Sequence, residues 1–199
     1  MGFFDSILGR SKPPEADLDV LFAVPQAVIS MRLQGFEPTG AGSVCFRDAE
    51  GNADDQVMAD AEQLISSSSG STVSRTDDRF GFHWLTVTRT DADVSGLVTD
   101  LHAVNSSLAD AGFGPSLLCS TIQFTTPTGA PFGLVYLYKR GTFYPFAPAG
   151  GEKRDNGLEL QVRGVIAEDV PVEPDLTKWL AIWGAPGLAH RGRSDTLDG

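Results

Sequence analysis

Cysteine is scarce in this sequence. Cys45 and Cys119 are the only two in 199 residues, and two thiols cannot build the multi-bridge framework of a small disulfide-stapled secreted domain. A reducing, cytoplasmic setting is therefore expected. Histidine is equally sparse, and His83, His102 and His190 lack the spacing of a zinc site, which needs three convergent ligands and an open position when catalytic; no metal is expected. Cations are outnumbered, with 15 Lys and Arg against 26 Asp and Glu for a formal net charge of −11. That balance opposes binding to phosphate backbones, so nucleic acid is not an expected partner. Long apolar runs are missing too: the stretch from Val20 to Met31 follows Asp17 and Asp19, is broken by Pro25, and is too short to span a bilayer.

The motifs of chemistry are also lacking. The chain holds no Walker loop, zincin helix, Cys-x-x-Cys pair or Gly-x-Ser-x-Gly elbow. Gly40-Ala41-Gly42-Ser43-Val44-Cys45 lacks the third glycine of a dinucleotide fingerprint and leads toward a strand, where that fingerprint leads into a helix. His102 faces Ser106 at i+4 on a predicted helix, but Asp100 points to nearly the opposite side, so no carboxylate orients the imidazole and no oxyanion hole is evident. The expectation is a protein with no catalytic residues and no cofactor. A rival reading places a small-ligand or enzymatic site around His102 and Tyr144. Cys45 and Cys119 read as buried small hydrophobes on strands, not as reactive thiols.

What is present suits one core. Hydrophobic residues make up 41% and charged residues 21%, close to ordinary folded proteins and too apolar for a disordered chain. Residues 2–10 set Phe3, Phe4, Ile7 and Leu8 at helical spacing before Lys12-Pro13-Pro14 ends the pattern, giving an appended helix and linker over 1–14. One domain is expected over 15–188 and a disordered tail over 189–199. Within the domain, 17–34 begins as a helix, although 25–34 also alternates like a strand. A strand is predicted over 43–47, a helix over 53–66, a loop over 66–71 and a strand over 82–89. The strongest local signal is a helix over 95–111, with Leu97, Leu101, Val104 and Leu108 in one stripe and Gly112-Phe113 as a Schellman ending. A hairpin over 117–125 and 132–139, a helix over 156–167 and a short amphipathic piece over 175–183 complete the order. The class is therefore α+β, with helices packed on one antiparallel sheet. Gly35-Phe36-Glu37-Pro38 and Gly112-Phe113-Gly114-Pro115 echo one another, which leaves an internal duplication open.

Two surfaces stand out as candidate binding sites. The stretch from Leu134 to Pro148, continued by Lys153 and Arg154, concentrates aromatics and cations in an otherwise acidic chain. Lys139, Arg140, Phe143, Tyr144 and Arg154 have the residue types of a protein-docking hot spot meeting a carboxylate-rich helix; the competing reading puts the aromatics in the core and the cations at the sheet edge. The second surface is the face of Phe3, Phe4, Ile7 and Leu8, for a membrane or a partner helix. Burying it gains about 6 to 10 kcal/mol gross, and ordering its residues costs about the same. Contact with the membrane surface is thus weak, and a protein groove or helix bundle serves equally well as receptor; a third reading packs the face against another copy, as a self-associating structural module.

Several segments together resemble a known family: Met1 to Pro13 (Met-Gly-Phe-Phe-Asp-Ser-Ile-Leu-Gly-Arg-Ser-Lys-Pro), Gly40 to Arg47, Leu97 to Asn105, Ala111 to Pro115, Tyr136 to Pro148, and Trp183 to Leu188. They are similar to the PspA-associated PspAB proteins of actinobacteria and relatives, over roughly Met1 to Leu188. The resemblance implies an accessory role in the phage-shock response to envelope stress, beside the coiled-coil protein PspA or an associated regulator and close to the inner face of the plasma membrane. It implies no enzyme activity and carries over no catalytic residues. The element order also resembles the secretion-chaperone or YbjN type of α+β fold. Oligomeric state stays open.

Overall fold

A computed structural model of the chain describes residues 17–47, 63, 70–91 and 93–189. The predicted helix over 2–10, with its face of Phe3, Phe4, Ile7 and Leu8, lies outside the described residues, as do nearly all of the predicted helix over 53–66 and the tail from 190 onward.

Six strands form one sheet in the order β2-β3-β1-β4-β5-β6: β1 (Glu37–Phe46), β2 (Ser71–Asp77), β3 (His83–Arg89), β4 (Leu117–Thr125), β5 (Pro131–Leu137) and β6 (Thr142–Phe146). Every neighbouring pair is antiparallel. Among the described residues, three helices pack against the sheet: α1 (Val24–Arg32), α2 (Val94–Leu108) and α3 (Asn156–Ile166). The α+β class read from the sequence is the class observed.

Local chemistry explains the helices. A 3-10 turn over Leu18–Ala23 runs into α1, and Pro25 occupies its first turn, where a missing N–H goes unnoticed. The ambiguous 25–34 stretch is therefore helical through Arg32. Asp93 caps α2 by accepting from the backbone N–H groups of Ser95 and Gly96, and Leu97, Leu101, Val104 and Leu108 are all fully buried. The helix ends sooner than its predicted limit of 111, passing at Ala109–Phe113 into a wider turn with Gly112 at φ 93°. Asp155 caps α3 through the N–H of Leu158.

Both sheet faces are covered, by different means. On one face Val44, Phe46, Leu85, Val87, Ile122, Phe124, Leu134 and Tyr136 meet the helices. On the other, Cys45, Trp84, Cys119, Val135, Tyr144 and Phe146 pack against Trp179, Ala185 and Leu188. These last three belong to a strap over 173–189 with little regular structure, only a 3-10 turn at Leu176–Lys178, where the sequence predicts an amphipathic piece over 175–183. The strap's apolar residues serve the sheet's reverse face, so the sheet decides its path. The residues leading into it, 171–173, also cover the outer edge of β6, since Phe143 N donates to Pro171 O at 2.8 Å and Glu173 N donates to Phe143 O at 2.7 Å.

Three strands depart from expectation. β1 starts at Glu37, and a register shift between Pro38 and Gly42 absorbs the turn-forming residues. β2 was masked by its polar sequence, Ser-Thr-Val-Ser-Arg-Thr-Asp, which suits a half-exposed edge strand. β6 is half of the aromatic and cationic strip.

Candidate functional site

The strap does not seal the reverse face completely. Between it and the sheet lies a cavity of ≈ 300 Å³, the low end of small-molecule pockets. Its floor is one row across four strands: Trp84 of β3 pairs with Cys45 of β1, Cys45 with Cys119 of β4, and Cys119 with Leu137 of β5. Phe80, Phe82, Leu118 and Tyr144 form walls, Leu180 to Gly184 form the roof, and Arg47 and Asp78 complete the lining. The Arg47 guanidinium lies over the Phe82 ring at 4.8 Å.

Asp78 is the one carboxylate of this lining, and its bonding is internal. Oδ1 accepts from the N–H groups of Phe80 (2.8 Å) and Phe82 (3.0 Å), and Oδ2 accepts from Trp84 Nε1 at 3.0 Å. Burial pushes this carboxyl up, but the bonds from Trp84, Phe82 and Phe80 outweigh it and hold it below its ordinary value. Gly184 of the strap crosses directly over it: a Cβ there would sit 2.3 Å from Asp78 Oδ2. The Cys45 thiol is pushed up by its hydrogen bond with Cys119 and by burial. Burial likewise pushes the Tyr144 hydroxyl up, and it donates to Leu180 O at 2.9 Å. The lining thus offers apolar and aromatic surface with two thiols, and no pair of groups poised for proton transfer.

The sequence-predicted residues are distributed differently. Phe143 is 0% and Tyr144 1% exposed, and they face opposite sides of β6: Phe143 joins the helix-side core and Tyr144 the strap side. Arg140 and Arg154 hold the strap. Arg140 donates from Nε and Nη2 to the buried Glu173. Arg154 donates from Nε to Glu159 Oε1 at 2.8 Å and from Nη1 to Trp179 O, with its guanidinium 5.3 Å from the centre of the Phe146 ring. Lys139, in the turn between β5 and β6, is exposed. His102 lies on α2, 5.0 Å from the Phe22 ring and 3.3 Å from Asp19 Oδ1. The whole sheet separates it from the side chain of Tyr144, so the two share no pocket.

A second feature lies on the helix layer. Phe22, Ile29 and Leu33 are exposed, Leu33 by 81%, and with Pro25 they recur at intervals of three and four along the outer side of α1 and its approach. Sequence reasoning saw apolar residues there but had no signal for which side of the helix the sheet would take. It missed the cavity too, because Cys45, Asp78, Cys119 and Trp183 are distant in sequence and meet only through strand register.

No helix among the described residues is long and apolar enough to cross a membrane, and no group of three or more metal-ligating side chains occurs among them. No curated protein and no solved structure matches the chain, so the likeness to the secretion-chaperone or YbjN type stays one of element order. A family model described as PspAB, PspA associated protein B, matches residues 1–187, most of the strap among them, and the chain belongs to that family.

Proposed function

We propose that this protein is a non-enzymatic accessory protein of the phage-shock response, acting by binding PspA or a regulator associated with it. The family's description supports association with PspA. The observation that carries a binding role is the apolar stripe of Phe22, Ile29 and Leu33 on the solvent side of α1. A helix normally turns such residues inward, and a stripe of this spacing suits the apolar seam of a coiled-coil helix. Lys139 supplies a charged contact at the far edge of the sheet.

Capture of PspA by the full-length protein at native expression levels tests this. Ile29→Glu with Leu33→Glu should lower PspA recovery at least tenfold, as expected for losing two anchors of about 1 kcal/mol or more each, while the unfolding midpoint stays unchanged. Lys139→Glu should weaken recovery modestly and more at low salt. Arg140→Glu is unsuitable, because it would break the strap's hold on Glu173. Undiminished recovery with both charge-bearing variants of α1 would remove this surface from consideration, and no recovery with the wild type would sink the partner assignment.

A further inference from the structure

Cys45 and Cys119 are 74 positions apart (119 minus 45), yet they are direct partners in the β1/β4 register. Residues directly opposed on antiparallel strands have Cα atoms about 4.5 to 5.5 Å apart, inside the roughly 4.4 to 6.8 Å span of disulfides. Both cysteines are free and buried. The strand geometry beside them is unusual: Cys45 pairs with Cys119 but Phe46 pairs with Leu117, so Leu118 is an extra residue. The bulge lets Leu117 return to the helix-side core while Leu118 and Cys119 both line the cavity. Bulges re-aim side chains and interrupt the ladder, and this one lies directly beside the cysteine pair. Both sulfur-bearing residues line the cavity floor, so a small oxidant has a path to them.

We propose that Cys45 and Cys119 are a reversible dithiol–disulfide site, oxidised within the cavity by a small hydroperoxide. One thiol, as thiolate, attacks a peroxide oxygen: an S–O bond forms, the O–O bond breaks, and the other oxygen leaves as hydroxide, which takes up the proton the thiol gave up and becomes the first water. The second thiolate attacks the resulting sulfenic sulfur, forming the S–S bond and expelling the second water. The two thiols lose two electrons and two protons in all, and the peroxide is reduced to two waters. Disulfides in a reducing compartment are mostly transient or sensory, and this geometry suits that use. The inference is independent of the proposed partner.

The test uses full-length protein treated with hydrogen peroxide and then denatured with a thiol-blocking maleimide present. Wild type should lose both thiols together, with an intact mass lower by two hydrogens, at a rate independent of protein concentration and rising with pH. Dithiothreitol should restore both thiols, and the oxidised form should unfold at higher denaturant. Trp84, next in the row, should lose fluorescence on oxidation. Cys45→Ser and Cys119→Ser should each abolish the mass loss. Thiols that survive, oxidise singly to sulfinic acid, or pair only between molecules would overturn the proposal, and these wild-type readouts stand whether or not the variants fold.

Discussion

Glu173 belongs to no helix or strand, yet its fully buried carboxylate collects four donors. Arg140 Nε reaches Oε2 at 2.5 Å and Nη2 reaches Oε1 at 3.0 Å, Thr142 Oγ1 donates to Oε2 at 2.7 Å, and Asp175 N donates to Oε1 at 3.1 Å. The Arg140 bond, foremost, overcomes burial and holds the carboxyl at about 2, against an ordinary 4.5. A depressed folded-state value means stabilisation that is complete above 4.5 and is lost as pH falls toward about 2. Arg140 is partly open to water, so the contribution is discounted to about 2 kcal/mol. Glu173→Gln should therefore lower the stability measured by urea unfolding by about that amount near neutral pH, and the gap from wild type should close as the solution is acidified through this window. A gap that does not change with pH would show that the charge is not responsible. The sequence displayed Arg140 as one of several exposed-looking cations and gave no hint of Glu173, because the pair is made across 33 positions.

At the scale of elements, legibility followed the range of the interactions that decide each one. Helix α2 carries its own cap and its own stripe of three leucines and one valine, and the β4–β5 hairpin carries its own turn residues, so each could be read from a short window. The strap could not. Trp179, Ile182 and Trp183 have a spacing that a helix would accept, but the sheet's reverse face claims them one by one, and side-chain bonds to backbone fix the path: Gln123 Nε2 donates to Pro186 O at 2.9 Å and Trp179 Nε1 donates to Glu173 O at 3.1 Å. The strap also needs a residue without a side chain where it passes Asp78. Gly184→Ala should push the strap off the carboxylate, because the added methyl group would overlap Asp78 Oδ2 and lie 2.6 Å from its Cβ. The expected cost is about 1 to 3 kcal/mol, with faster proteolytic cleavage within 176–189 and changed fluorescence from Trp179 and Trp183. Unchanged cleavage and stability would mean that the strap does not close on Asp78 as described.

The whole molecule is two cores sharing one sheet, the larger under the helices and the smaller under the strap. This explains why Phe143 and Tyr144, adjacent in a sequence that looked like an exposed binding strip, are both interior: β6 is buried on both faces, so neither alternation phase reaches solvent. The family match runs nearly to the strap's end at 187, and just beyond it Leu188 fills a gap against Gly133, where a Cβ would be 2.8 Å from its Cδ1. A chain truncated after Val172 should keep the helix-side core and its helical circular dichroism. It would, however, expose Cys45, Trp84, Val135, Tyr144 and Phe146 as one apolar patch. Patches of several hundred Å² drive association in soluble proteins, so the truncated protein should bind more hydrophobic dye than the full chain and form larger assemblies than the full chain in light scattering. Retention of a dye-free monomer would mean that the reverse face finds other cover. Loss of all helical signal would mean that the smaller core is needed before the larger one can form, and the strap would then be a condition of folding instead of a cover added to a finished sheet.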